Sequence, residues 1–443
     1  MESFEKQIAG AILNLIRSRR AASSADLSAT NASGPIAPAK IREARFSDFA
    51  AVARLKQRGG LNPDSYENWQ RLWQRNPALL CHEVERPIGW VLEADGALVG
   101  YLGNISLSYR YGDKTLSAVT AHGLVVDPPY RAMGLTLVAA YFRQKSVDLF
   151  ISTTAIEAVG KIALAFKSSP LPQPDYDTAL FWVLRPYGFA RALMNKLKAG
   201  PALSQIGSML TSLAVGADKI RRRWPSHISS SLTISEIGLH EIGGEFQTFW
   251  TEKQKESCRL LADRSPAALR WHFEIPGDRG SANVLCCYKG SDLVGYTVVR
   301  NDTNTENGLR TSIIADLVAK DDDSDVVQTL LGAAYQRAKK TGSHTFEVLG
   351  FPSSIRQVAT AWNPYRRKYP ACPFFYKAAN PELHKTLSDA TVWYPSPYDG
   401  DATLIRPSYA TTAPRAENSV QDSRDTNDNL PPAVLEPEHS EVF

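Results

Sequence analysis

The tetrapeptide Leu98-Val-Gly-Tyr101 recurs unchanged as Leu293-Val-Gly-Tyr296, and this duplication constrains the fold more than any other feature of the chain. Each copy follows a polar turn, Ala94-Asp-Gly-Ala97 in one case and Lys289-Gly-Ser-Asp292 in the other. Each also trails an aromatic segment ending in proline, Trp73-Gln-Arg-Asn-Pro77 and Trp271-His-Phe-Glu-Ile-Pro276. The tetrapeptides lie 195 residues apart and the tryptophans 198. Two markers in the same order at nearly constant spacing predict a duplicated domain. A length of 443 residues agrees, because one hydrophobic core rarely serves so long a chain.

Residues 1–39 read as an amphipathic helix, with Phe4, Ile8, Ile12 and Leu15 on one face, followed by a flexible linker rich in Ala, Ser and Pro. The first domain is expected over 40–197. It opens with Ile41-Arg-Glu-Ala-Arg-Phe46 and a helix capped by Ser47 or Asp48. A hairpin then joins Gly89-Trp-Val-Leu-Glu93 to Leu98-Val-Gly-Tyr-Leu102, and Gly112-Asp113 turns the chain again. A strand over Leu116 to Val126, a helix over Leu135 to Phe142, a strand over Leu149 to Ser152, a helix over 154–167 and a last strand at Phe181-Trp-Val-Leu184 complete it. This order predicts an α+β fold: two tandem domains, each a twisted, mostly antiparallel sheet flanked by helices. A basic amphipathic linker helix is expected over 198–228, the second domain over 229–407 and a disordered acidic tail over 408–443.

No apolar run approaches the roughly 20 residues needed to span a bilayer, and the first residues lack a secretory leader's pattern. Five cysteines without paired spacing fit neither a metal site nor a disulfide framework. The expected location is cytoplasmic, with peripheral membrane contact open to the two amphipathic helices. The tail from Thr411 to Phe443 carries seven acids against two arginines, which leaves the rest of the chain at +9. That surplus suits an anionic ligand but is too diffuse for nucleic acid.

The informative segment is Leu124-Val-Val-Asp-Pro-Pro-Tyr-Arg-Ala-Met-Gly-Leu-Thr-Leu137. A strand ends in prolines, and a turn with Arg131 and Gly134 opens a helix whose N-terminal amides suit a diphosphate. A Cβ at Gly134 would obstruct close approach of such a group.

This run resembles the acetyl-CoA-binding motif of the GNAT superfamily of N-acyltransferases through Val126, Pro128, Tyr130, Arg131 and Gly134. It departs from that motif at Ala132 and Thr136, where small residues, mostly glycine, are usual. The resemblance implies acetyl-CoA or another acyl-CoA as co-substrate, and no metal. Leu124, Val125 and Val126 would pair with the pantetheine arm, and Arg131, Ala132, Met133, Gly134, Leu135 and Thr136 would hold the pyrophosphate. Asp263-Arg-Ser-Pro-Ala-Ala-Leu-Arg-Trp-His-Phe273 and Trp393-Tyr-Pro-Ser-Pro-Tyr-Asp-Gly-Asp401 also resemble a group of bacterial tandem-GNAT proteins associated with surface-polysaccharide genes. In the second copy the corresponding turn reads Ala-Lys-Asp-Asp-Asp-Ser-Asp325 and lacks glycine, so it would repel a diphosphate.

Transfer to an amine needs a base, a polarised carbonyl and a proton for the thiolate. His122, four residues before Val126, is the candidate base, and a core histidine is the plainer reading. Glu157 is the candidate acid near the next helix, where a capping role also fits, as it does for Thr153 and Thr154. Asp175 and Tyr176 are placed to reach a substrate; Asp399 and Asp401 suit an acceptor amine or, more simply, turn capping. The leading function is an acyl-CoA-dependent N-acyltransferase acting on a small amine or amino sugar. The alternatives are a non-catalytic acyl-CoA-binding or scaffold protein and a tRNA-dependent aminoacyl transferase.

Overall fold

The computed structural model describes residues 37–80, 86–155, 157–197, 229–256, 258–277, 282–369 and 374–405, together with scattered positions between 205 and 225. The N-terminal amphipathic helix, most of the linker helix and the acidic tail expected from sequence lie outside the described residues.

In the first half, strand β1 (Lys40–Glu43) leads through a 3₁₀ turn (Phe46–Asp48) into helices α1 (Phe49–Arg58), α2 (Tyr66–Trp73) and α3 (Pro77–Leu80). Strands β2 (Gly89–Ala94), β3 (Ala97–Tyr111) and β4 (Lys114–Val126) form a meander. A 3₁₀ segment (Pro128–Met133) runs into α4 (Gly134–Phe142), followed by β5 (Leu149–Ser152), α5 (Glu157–Ala165), β6 (Ser169–Pro170), β7 (Thr178–Val183) and α6 (Pro186–Lys196). The second half repeats the pattern: β8 (Thr233–Ile237), α7 (Gly244–Lys253), β9 (Leu260–Ala262) and α8 (Pro266–Phe273) precede the meander β10 (Ala282–Lys289), β11 (Asp292–Thr303) and β12 (Arg310–Ala319). Then follow α9 (Ser324–Lys340), β13 (Thr345–Val348), α10 (Ser353–Thr360), β14 (Tyr365–Lys368), β15 (Phe375–Ala378) and α11 (Pro381–Leu387).

The expected α+β class and the two mostly antiparallel sheets are present. Asp95 and Gly96 turn the first hairpin with positive φ, as a two-residue turn requires. Asp48 differs from its expected role: its carboxylate accepts the Arg45 N–H at 2.7 Å and so caps the 3₁₀ turn, not α1.

Two short strands depart more deeply from sequence order. The first sheet runs β1-β2-β3-β4-β5-β15-β6, with β9 beside β3; the second runs β14-β7-β13-β12-β11-β10-β8. Thus β7, expected to close the first sheet, pairs with β13 and β14, while β15 from the chain's end pairs with β5 and β6. Backbone hydrogen bonds carry no sequence address, so either partner satisfies the strand's N–H and C=O groups. The exchange knits the halves into one continuous core, and a second core lies between the first sheet and α4.

The duplicated aromatic segments meet directly. Arg71 of α2 donates to the Trp271 carbonyl at 2.6 Å, and Trp271 Nε1 of α8 donates to the Arg71 carbonyl at 2.7 Å. The terminal segment Trp393–Leu404 is buried between the halves. Arg264, just past β9, donates to both oxygens of Asp316 on β12 at 2.9 and 3.1 Å and to Ser396 Oγ at 3.1 Å. Tyr296 donates to Asp316 at 2.9 Å. Arg264 and Asp316 are almost wholly enclosed, so each charge depends on the other. Replacing Arg264 with Ala is expected to cost about 3–5 kcal/mol by leaving Asp316 buried and unpaired. Urea unfolding measures this, and a loss below about 1 kcal/mol contradicts it.

Candidate functional site

Strands β4 and β5 pair in parallel only at Ala118–Thr120 and Leu149–Ile151. Beyond that point they fork, and Ala121–Val126 continue for about 16 Å at the usual strand rise. On its other side β4 bulges: Tyr101 faces Val125 while Gly103 faces His122, so β4 has one extra residue. A bulge leaves its extra residue out of the ladder and re-aims the backbone. Gly123 makes this possible, with φ at 68° and the Lys56 side chain passing where a Cβ would stand, 2.7 Å from Cε.

Lys56 reaches the bulge from α1. Its buried Nζ lies 2.5 Å from Asp64 Oδ2 and 2.9 Å from His122 Nε2. Lys56 thus brings its terminal nitrogen against the ring nitrogen that faces Asp64. Asp64 Oδ2 is 3.3 Å from the same nitrogen, the longer of the two contacts. Burial alone would raise the Asp64 carboxyl, yet the His122 and Lys56 side chains hold it well below the usual carboxylate range. Two hydroxyls near the fork, Tyr101 OH and Thr120 Oγ1, are buried without a partner among the described residues.

At the other end of β4 the sequence-predicted turn is present in a tighter form. Pro128 and Pro129 start a 3₁₀ helix that continues into α4, and the Gly134 N–H donates to the Arg131 carbonyl. The helix therefore begins earlier than the sequence suggested, and its first two residues are prolines, which carry no N–H. Gly134 has an ordinary helical φ of −56°, and a Cβ there would meet only Val126 Cγ2, at 3.5 Å. The fold itself does not require glycine here, so the space above it suits an incoming group. Arg131, Ala132 and Thr136 are exposed, whereas Met133 and Leu135 are partly covered. Arg58 of α1 pairs with Asp127 at 2.8 Å and offsets the one acid at the head of the turn.

Glu157 stands apart from this arrangement. It is 82% exposed and pairs with Lys161 one turn along α5 at 2.7 Å. Asp175 pairs with Arg356, and Tyr176 is buried with its hydroxyl on the Ser396 carbonyl. The carboxylates beside the fork come instead from the chain's far end. Asp401 accepts from Thr153 Oγ1 at 3.1 Å and from Thr154 Oγ1 at 2.9 and 2.8 Å, just past β5. Burial raises the Asp401 carboxyl above its ordinary range, while the two threonine hydroxyls and nearby His122 draw it back. Asp399 accepts from Tyr109 OH at 2.7 Å and from the Ser396 N–H at 2.7 Å. Burial pushes its carboxyl up to about 6. Sequence spacing could not bring Asp401 to a strand some 250 positions earlier; its only signal was the terminal motif itself.

The second half repeats the fork and the bulge but closes them. Strands β12 and β13 pair only at Thr311–Ile313 and Thr345–Glu347, and β12 bulges where Val298 and Val299 face Asp316 and Ile314. Aligning the ends Val126 and Ala319, both paired to the repeat glycines Gly100 and Gly295, places Asp316 where the first half has Gly123. Its carboxylate is locked to Arg264. Beyond it, Tyr394 OH donates to the Leu317 carbonyl at 3.0 Å and Lys253 Nζ to the Ala319 carbonyl at 2.7 Å. Of the acidic run, Asp322 pairs with Lys253 and Arg259, and Asp323 caps α9.

A forked mixed sheet with a strand–turn–helix at the fork is thus built twice in one chain. No protein-family model matches the sequence, and no curated protein is similar to it. Among solved structures, a probable N-acyltransferase of unknown function from Enterococcus faecalis V583 matches with a TM-score of 0.51 and 9% identity, over 77% of this chain and 73% of that one. A GCN5-related N-acetyltransferase from Anabaena variabilis gives a TM-score of 0.49 at 10% identity over 77% and 73%, and Eis1 from Mycobacterium abscessus gives 0.47 at 13% over 79% and 76%. At 9% identity the likeness to the Enterococcus faecalis structure is one of fold. No helix among the described residues is long and apolar enough to cross a membrane.

The raised Asp399 carboxyl makes stability depend on pH. Its favourable contribution is complete below the unfolded value near 3.8 and is lost as pH rises through about 6. The stability advantage of the wild type over Asp399→Asn is expected to shrink by about 3 kcal/mol between pH 4 and pH 8, two pK units' worth. Denaturant titrations across that range measure it, and a constant difference contradicts it.

Proposed function

We propose that this chain is an acyl-CoA-dependent N-acyltransferase, acetyl being the simplest acyl group, acting on a small amine or amino sugar within a ternary complex. The observation that carries this reading is the open first fork leading into the Gly134 turn. The edge of Leu124, Val125 and Val126, beyond the last pairing with β5, pairs with an extended pantetheine arm as an added strand. Arg131 supplies charge to the diphosphate, and the helix start from Ala132 through Met133, Gly134 and Leu135 to Thr136 lies beneath it. Bonds of the 3₁₀ type are the poorer kind, so exchanging that of Gly134 for a charge-assisted bond to phosphate favours binding. The thioester end then points back to the bulge, where a backbone N–H outside the ladder would polarise the carbonyl.

Each chain takes one donor in this reading, because Asp316 and Tyr394 fill the second fork. The amino-sugar acceptor and the link to surface polysaccharide rest on sequence resemblance, and a cytoplasmic location on cysteine usage and the absence of a membrane-spanning run in the sequence. A non-catalytic acyl-CoA-binding protein is the second reading, favoured by Glu157 standing at the surface, paired with Lys161.

Isothermal titration with acetyl-CoA, free CoA and a long-chain acyl-CoA is expected to show one site per chain. Gly134→Glu is expected to weaken binding roughly 100-fold, about 2.8 kcal/mol, by placing a carboxylate against the diphosphate. Unchanged affinity in that variant contradicts the site; binding without thiol release across an amine panel selects the second reading.

A further inference from the structure

We infer that the second half of the chain supplies the base for the first half's reaction: Asp401, held by Thr153 and Thr154 at the mouth of the fork, takes the proton from the acceptor ammonium. This rests on the transfer reading above and names a residue for it. The fork opens after Thr120 and Ile151, and the first residues beyond it on the same face are His122 on one branch and Thr153 on the other. Asp401 is bonded to Thr153 and lies near His122, so it stands where the thioester end of a donor on β4 arrives.

His122 is the less suitable base because its Nε2 is already partnered within the fold, 2.9 Å from Lys56 Nζ and 3.3 Å from Asp64 Oδ2. Lys56 and Asp64 thus act as positioning residues that hold the ring. Glu157 is paired at the surface of α5. Asp401 has two threonine hydroxyls and no cation bonded to it among the described residues, so its carboxylate retains capacity to accept another proton. The groups that face it are His122 from β4, Thr153 and Thr154 past β5, Tyr141 from α4, and Asp399 on its own segment.

The step balances without any further reactant. The ammonium gives one proton to Asp401, and the free amine attacks the thioester carbonyl. The C–N bond forms, the C–S bond breaks, and the nitrogen's second proton goes to the thiolate. Asp401 returns its proton to solvent. The products are the amide, CoA thiol and one proton. A carboxylate at this place also selects the acceptor: a cationic amine is attracted, and an anionic one is repelled.

The test is steady-state thiol release from acetyl-CoA with the best acceptor of a panel of amino sugars, diamines and amino acids, measured across pH. Wild type is expected to gain rate with rising pH along an acid limb above the ordinary carboxylate range. Asp401→Asn is expected to lower kcat by about 100- to 10,000-fold, to lose that limb and to bind acetyl-CoA as wild type does. Thr154→Val, at an exposed position, removes hydrogen bonds that favour the charged carboxylate, so the limb should move to higher pH. An Asp401→Asn protein with wild-type kcat and limb, or a Thr154→Val protein with an unmoved limb, overturns this assignment and leaves the transfer reading standing. A wild-type protein that binds acetyl-CoA and acylates nothing overturns both.

Discussion

The buried ion pair between Arg264 and Asp316 is the interaction on which the rest of the structure depends. Two charges out of water are tolerable only when their remaining hydrogen-bonding capacity is filled. Here Tyr296, Ser396 and the Ala262 carbonyl fill it, and the guanidinium lies 4.8 Å from the Tyr398 ring centre. These partners come from β11, from the strand that flanks the first sheet, and from the terminal segment. Satisfying one ion pair therefore fixes the position of the chain's end relative to both sheets. That same end carries Asp399 to Tyr109 and Asp401 to the first fork.

Duplication gave the chain two equivalent forks, and one position separates their fates. At Gly123 the bulge has a positive φ and leaves room for the Lys56 side chain. At Asp316 the equivalent residue bears a carboxylate that brings in Arg264, and Tyr394 takes the Leu317 carbonyl beyond it. One fork stays open while the other becomes part of the core. Tyr101 and Tyr296 show the same divergence: Tyr296 donates to Asp316, whereas the buried Tyr101 hydroxyl has no partner among the described residues.

Much of the fold was readable from residue patterns. The hairpins, the long β4, helix α4 and the strand–turn–helix order follow from alternation, turn residues and helical spacing, which are local properties. The two exchanged strands were not readable, because β7 and β15 are equally good strands in either sheet. The site was readable in part. Local spacing pointed to Gly134 and Arg131. The engagement of His122 by Lys56, the surface position of Glu157 and the arrival of Asp401 all depend on contacts between distant elements.

The sequence by itself determined that the chain is built twice and that its first copy alone has a glycine in the turn after the long strand. Repeats, turns and caps act over a few residues, so their consequences are written locally. Only the tertiary structure decided which strand completes which sheet, which fork is closed and which carboxylate stands beside the open one. Those outcomes are set by burial and by pairing of charges across some 50 to 250 residues, where sequence separation carries no information about distance in space.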